Sequence, residues 1–177
     1  MAAISLAIIL PVRYFLIQPF YVKGASMEPN FHDNEYLIID ELSYRFNDAL
    51  RGQVVVFRYP RNPQEFYIKR VIGLPGEEVQ IKDGIITIFN EEHPNGFVIK
   101  EDYLPSDLKT SYESEEKVAI GPDEYFVMGD NRNASKDSRT FGPVNSGFVT
   151  GKVLFRGWPL SKISFFGKDS WPKYENN

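Results

Sequence analysis

Apolar and polar positions divide the chain into two unlike parts. Residues 2–12 are almost wholly apolar, and interruptions begin at Arg13, Gln18 and Pro19, with Tyr14, Phe15, Phe20 and Tyr21 crowded around them. Eleven helical residues cover only about 16 Å of a hydrocarbon layer of roughly 30 Å, so a full crossing needs interfacial residues or a longer N-terminus. Aromatics beside Arg13 and Lys23 suit a membrane–water boundary. No basic segment precedes the apolar run, which speaks against a cleavable signal peptide. Residues 1–17 are therefore expected to be a retained membrane anchor, the end of a transmembrane helix incomplete at its start, and 18–177 the folded domain.

After Pro29 the pattern becomes short apolar runs between turn residues. Residues 35–40 and 53–59 read as strands, the second rich in valine. Residues 66–72 form another, stopped by Gly73-Leu74-Pro75-Gly76. Residues 78–82 and 85–89 flank Asp83-Gly84, the strongest short-range hairpin signal in the chain. Residues 90–117 are polar and irregular, an expected exposed excursion, and strands resume at 124–128 and 151–155. No internal repeat or linker separates two cores.

Composition narrows the class. An aromatic fraction of 15% with 13 glycines and 12 prolines favours strands joined by turns over a helical bundle. A net charge of −4 offers no basic face for nucleic acid. Without cysteine there is no disulfide, thiol nucleophile or cysteine metal site. His32 and His93 alone are too few and too isolated for a zinc site.

Three stretches carry candidate chemistry. Ala25-Ser26-Met27-Glu28-Pro29 places a serine in a chain break, because proline fixes its own φ and biases the residue before it away from helix. Such a serine is either an exposed nucleophile or an ordinary turn residue. Lys69-Arg70 lie at the end of the strand over 66–72 among apolar and aromatic neighbours. A lysine half buried there serves as a base if about 4 kcal/mol of disfavour for the ammonium brings its pKa near neutrality; otherwise it snorkels to solvent. Gly129-Asp130-Asn131-Arg132, continuing through Ser135, Asp137, Ser138 and Arg139, is either a well-capped surface loop or an ordered one that orients the lysine through Ser135.

Taken together, the boxes 25–29, 69–77 and 129–139 resemble, in order and behind an apolar N-terminus, the signature boxes of bacterial type I signal peptidases. The similarity runs from about Arg13 to Trp158. The resemblance implies a single-pass protein of the cell membrane with its catalytic domain on the extracytoplasmic face. Such an enzyme removes signal peptides from exported preproteins after small residues, with no cofactor and no metal. Its partners would be preprotein signal peptides and membrane lipid, not nucleic acid.

Carried over by position, Ser26 would be the nucleophile and Lys69 the neutral general base. Ser135 would hydrogen-bond Lys69. Asp137 with Arg139, and Asp130 with Arg70, would be supporting ion pairs. The Ser26 N–H would supply one oxyanion donor. In some members a serine two residues earlier gives the second, and here that position is Gly24. Asn30, where threonine is usual, and Gln53, where aspartate often stands, are smaller departures. An extended preprotein would lie between the stretch leading to Ser26 and the strand holding Lys69. Phe20, Val22, Met27, Phe31, Tyr67 and Ile68 would wall shallow pockets for small residues, or else form a strand-packed core.

The expected fold is all-β, mainly antiparallel sheets coiled or barrel-like, with little helix beyond the anchor. Two other readings compete. One is a soluble Ser-Lys autoprotease like the repressor-processing proteins of the DNA-damage response, against which the apolar N-terminus counts. The other is a catalytically silent, membrane-tethered β module that binds exported peptides.

Overall fold

The structure, a computed structural model, describes residues 17–112, 114–167, 170–172 and 174. Residues 1–16, which carry nearly all of the expected anchor, lie outside them, and among the described residues no helix is long and apolar enough to cross a membrane. In chain order the strands are β1 (Ile17–Tyr21), β2 (Tyr36–Asp40), β3 (Val54–Tyr59), β4 (Asn62–Gly73), β5 (Glu78–Lys82), β6 (Ile85–Phe89), β7 (Phe97–Val98), β8 (Val118–Ala119), β9 (Glu124–Met128), β10 (Val144–Asn145), β11 (Val149–Trp158) and β12 (Ser164–Phe165). Helix among the described residues is limited to α1 (Ser138–Phe141) and three 3-10 turns.

All pairings are antiparallel. The large sheet runs β1-β2-β11-β3-β4-β9-β10, with β12 beside β11, and the small one runs β7-β6-β5-β8. The Val-Val-Val-Phe run of β3 is apolar without interruption because that strand is buried on both faces. Val54 and Val56 join Val22, Met27, Phe31, Leu37, Ile39 and Ile68 on one side. Val55 and Phe57 pack with Val71, Tyr125 and Val127 on the other. Register shifts in β4 and β11 bend these strands, as bulges do.

The strands read from the sequence reappear, and Asp83-Gly84 closes the β5–β6 hairpin with both residues at positive φ. Three features differ. Residues 17–21, left at the membrane boundary by their sequence, form β1 and pair with β2 from Ile17↔Asp40 to Tyr21↔Tyr36. Pro19 hides this strand from pattern reading, yet an edge strand tolerates a residue without an N–H. β4 begins at Asn62, four residues before its apolar stretch, because the exposed half of the β3–β4 hairpin has no core to face. The 90–117 excursion is tied down in part: β7 pairs with β6, and Ile99 and Thr110 are buried.

One consequence positions the site. β4 pairs with β3 from residue 62 to residue 70, but with β9 only from Arg70 onward, and β1 pairs with β2 alone. Residues 62–69 of β4 and the whole of β1 thus each keep an unpaired edge among the described strands.

Candidate active site

The turn carrying Ser26 is anchored from below by side chains. Met27 and Phe31 are each 1% exposed in the core, and the N–H groups of Asn30 and Phe31 donate to the Met27 carbonyl at 3.0 and 2.9 Å. The far side is held by the loop after β9: the Asn131 N–H donates to the Ser26 carbonyl at 3.0 Å, and Asn131 Nδ2 to the Ala25 carbonyl at 3.1 Å. With its backbone pinned from two directions, Ser26 keeps its hydroxyl free to face β4.

Lys69 meets it there. Its Nζ donates to Ser26 Oγ at 2.7 Å and to the Ile68 carbonyl at 2.8 Å. Lys69 sits inside β4, opposite Val55 and four residues from the strand's end, and is 3% exposed, deeper than the half-burial its neighbours suggest. Burial disfavours the ammonium and lowers its pKa to about 8, although the carboxylates of Asp137 and Asp130 pull the other way. A lysine in that range holds a substantial neutral fraction near neutral pH.

The surrounding loop is a buried ionic lattice. Arg70 donates to Asp130 through Nε at 2.8 Å and Nη2 at 2.6 Å, and through Nη1 to the Gly52 carbonyl. Asp130 also accepts from Asn30 Nδ2 at 2.9 Å, so one carboxylate joins β4, the serine turn and the loop. Asp137 caps α1, accepts from the Gly129 N–H at 2.9 Å and takes two bonds from Arg139 at 2.9 and 2.8 Å. Burial alone would raise the Asp137 pKa; the Arg139 guanidinium and the Gly129 N–H outweigh it and hold the carboxyl below its ordinary range.

Two expected partners stand elsewhere. Lys69 spends its hydrogen bonds on Ser26 and the Ile68 carbonyl, and a bond to Ser135 is not among them. Ser135 Oγ is buried without a well-formed hydrogen bond, though it is near enough to Asp137 to help lower that pKa. It packs where a side chain on Gly129 would be: an added Cβ there would overlap both Ser135 Oγ and the Ser26 carbonyl oxygen. Gly24 has φ +85° and donates its N–H to Asp33 Oδ1 at 2.7 Å, so its one donor is engaged away from Ser26.

The candidate pocket walls divide. A cavity of about 540 Å³ contains Ser26 and Lys69 and is walled by Phe20, Phe66, Tyr67 and Ile68. The Phe20 and Phe66 rings meet edge to face at 6.3 Å. Val22, Met27 and Phe31 do not line it; each is 1% exposed in the core, where they support the serine turn. A larger cavity, about 620 Å³, lies beyond Arg70 against Tyr103, Arg156 and Trp171 and includes neither member of the pair.

Among the other residues of the site, Asp33, Arg51, Glu101 and Thr110 carry no sequence signal of their own, while Arg132 and Glu77 lie within the boxes 129–139 and 69–77 with roles that the sequence does not assign. Arg132, 2% exposed, joins the Gly129 carbonyl, Glu101, Thr110 and Tyr103, and so fastens the 90–117 excursion to the active-site loop. Arg51 and Glu77 form a bidentate buried pair at 2.8 and 2.7 Å. Asp33, by holding Gly24, positions the chain two residues before Ser26. The bonds of Arg132 to Glu101, Thr110 and Tyr103 and of Arg51 to Glu77 span sequence separations that local pattern does not register, whereas Arg132–Gly129 and Gly24–Asp33 are local.

The chain is similar to known proteins over most of its length. The family model "Signal peptidase, peptidase S26" matches residues 1–158. "Signal peptidase IB" of Staphylococcus aureus (strain MRSA252) is 33% identical over 174 residues, covering 92% of this chain and 89% of the relative. "Probable signal peptidase I-2" of Synechocystis sp. (strain ATCC 27184 / PCC 6803 / Kazusa) is 34% identical over 164 residues, covering 90% and 71%. A crystal structure of a signal peptidase I from Enterococcus faecalis V583 is 32% identical, covering 60% of this chain and 97% of its own, with a TM-score of 0.48. A family match over most of the length, together with relatives a third identical across nine-tenths of it, sets aside the silent peptide-binding module: the chain belongs to the signal peptidase family, peptidase S26, and is a serine endopeptidase of the type I signal peptidase kind.

Proposed function

We propose that the chain cleaves signal peptides from exported preproteins through a Ser26–Lys69 dyad, with the apolar segment before β1 as a single-pass membrane anchor and the β domain, which begins at Ile17 rather than at residue 18, as an extracytoplasmic catalytic domain. The observation that carries the chemistry is the 2.7 Å contact between Lys69 Nζ and Ser26 Oγ around a buried amine. When Nζ is neutral, the Ser26 hydroxyl donates to its lone pair. As Oγ attacks the scissile carbonyl carbon, the proton passes to Nζ. The tetrahedral oxyanion is met by the Ser26 N–H. Collapse breaks the C–N bond, and the Lys69 ammonium returns its proton to the leaving amine. Water then attacks the carbonyl carbon of the Ser26 ester, giving a proton to Lys69; the C–Oγ bond breaks, the Lys69 ammonium returns that proton to Ser26 Oγ, and the product carboxylic acid departs and ionises in solvent.

The unpaired edges of β1 and β4 supply main-chain donors and acceptors to an extended peptide laid between them. Phe20, Phe66, Tyr67 and Ile68 leave shallow space, which favours small side chains before the cut. Asp130 with Arg70, and Asp137 with Arg139, keep the loop and β4 rigid, while Ser135 packs behind the Ser26 backbone. The apolar 2–12 segment supports the anchor. Ser26→Ala tests the reading: the substitution removes one oxygen and almost no volume, so the protein should fold as before and lose preprotein cleavage. Cleavage near the wild-type rate in that variant overturns the assignment.

A further inference from the structure

The rim of the active-site cavity carries charge that the dyad does not use. Outside Lys69 its charged lining is Lys23, Glu65 and Lys136, two cations and one anion, in a chain whose net charge is −4. Glu65 is already engaged on its own strand, where its Oε1 accepts from Asn62 Nδ2 at 2.8 Å. Lys136 is placed differently. Its backbone stands between Ser135, packed against Gly129, and Asp137, which is buried and clamped by Gly129 and Arg139. Its ammonium rests 4.7 Å from the centre of the Tyr59 ring. That ring stacks on Tyr67, a wall of the cavity, at 4.6 Å and 4°, and meets Phe141 edge on at 5.3 Å. A lysine tail normally sweeps a wide volume; a fixed backbone and a cation–π seat confine this charge to the cavity's edge.

We propose that Lys136 is a specificity-determining residue that favours an acidic side chain, and disfavours a basic one, in the preprotein beside the scissile bond. The proposal rests on the reading that this cavity takes the extended substrate. An exposed charge pair of this kind shifts relative kcat/KM by about fivefold, and the shift is screened by salt.

The test uses peptides spanning a signal-peptide cleavage site, each carrying glutamate, glutamine or lysine at one position near the cut other than the small-residue positions. Within each enzyme the ratio of kcat/KM for the glutamate and lysine peptides is its own reference, so a change in overall rate does not disturb it. In the wild type at least one position should prefer glutamate by about fivefold, and that preference should fade at 1 M salt, where the screening length is about 3 Å. Lys136→Gln should bring the ratio towards one, and Lys136→Glu should invert it. If the charge reversal fails to fold, the glutamine variant decides. Unchanged ratios in both variants at every position overturn the inference, as does an inversion produced by Lys23→Glu and not by Lys136→Glu. Neither result touches the protease reading, which falls only if Ser26→Ala still cleaves the glutamine peptide.

Discussion

Replacing Lys69 by arginine keeps a positive charge at the centre of the site and removes the buried amine that touches Ser26 Oγ. Burial brings Lys69 from 10.5 to about 8, a disfavour for the ammonium of about 3 kcal/mol. At pH 7 about a tenth of the molecules then hold a neutral amine, roughly 300-fold more than an unperturbed lysine would. Wild-type cleavage should therefore rise about tenfold per pH unit in acid and level off above about pH 8. Arginine stays charged throughout, so Lys69→Arg should lose cleavage by about 10⁴-fold or more at every pH. The stability of the protein reports the same burial. A lysine whose folded pKa lies below its unfolded value is protonated more readily in the unfolded chain, so it weakens folding below about pH 8, and the penalty recedes as pH rises towards 10.5. Lys69→Met, inactive in cleavage, should accordingly be more stable than wild type at pH 7, by up to about 3 kcal/mol, with the difference shrinking by pH 10.5. The assays are kcat/KM against pH on a fluorogenic signal-site peptide in detergent, and urea unfolding at the two pH values. Retained cleavage in Lys69→Arg, or an acid limb well below pH 7, would show that another group is the base.

Two backbone positions make separate predictions. Gly129→Ala places a methyl group against Ser135 Oγ and the Ser26 carbonyl, so it should lower stability by about 1–3 kcal/mol and cut kcat by displacing the nucleophile; wild-type kinetics would mean that the loop yields freely. Gly24→Ser, which in principle offers a second oxyanion donor, has open space for its Cβ but inherits φ +85°, a backbone cost of about 1–2 kcal/mol, so melting temperature and turnover should both fall, and a gain in turnover would refute the argument.

Sequence alone determined the elements whose reasons are local. Short apolar runs and turn chemistry place β2, β3, β5, β6 and β9, and Asp83-Gly84 specifies its hairpin because both residues tolerate positive φ. The three signature boxes identified the family before any contact was known, since order and spacing of short motifs survive in one dimension. What the tertiary structure decided is which way each face looks. A period of two says that Tyr67 and Ile68 point apart, but not which faces meet water, so the split between cavity walls such as Phe20 and core residues such as Val22, Met27 and Phe31 required the packed sheet. The burial that lowers the Lys69 pKa is not legible in its own strand, and the carboxylates that oppose the shift, Asp137 and Asp130, lie far along the chain. The lattice of Arg132, Glu101 and Thr110 joins residues at least 22 apart. Desolvation is a property of everything within a few ångströms of an atom, and chain order does not list that company.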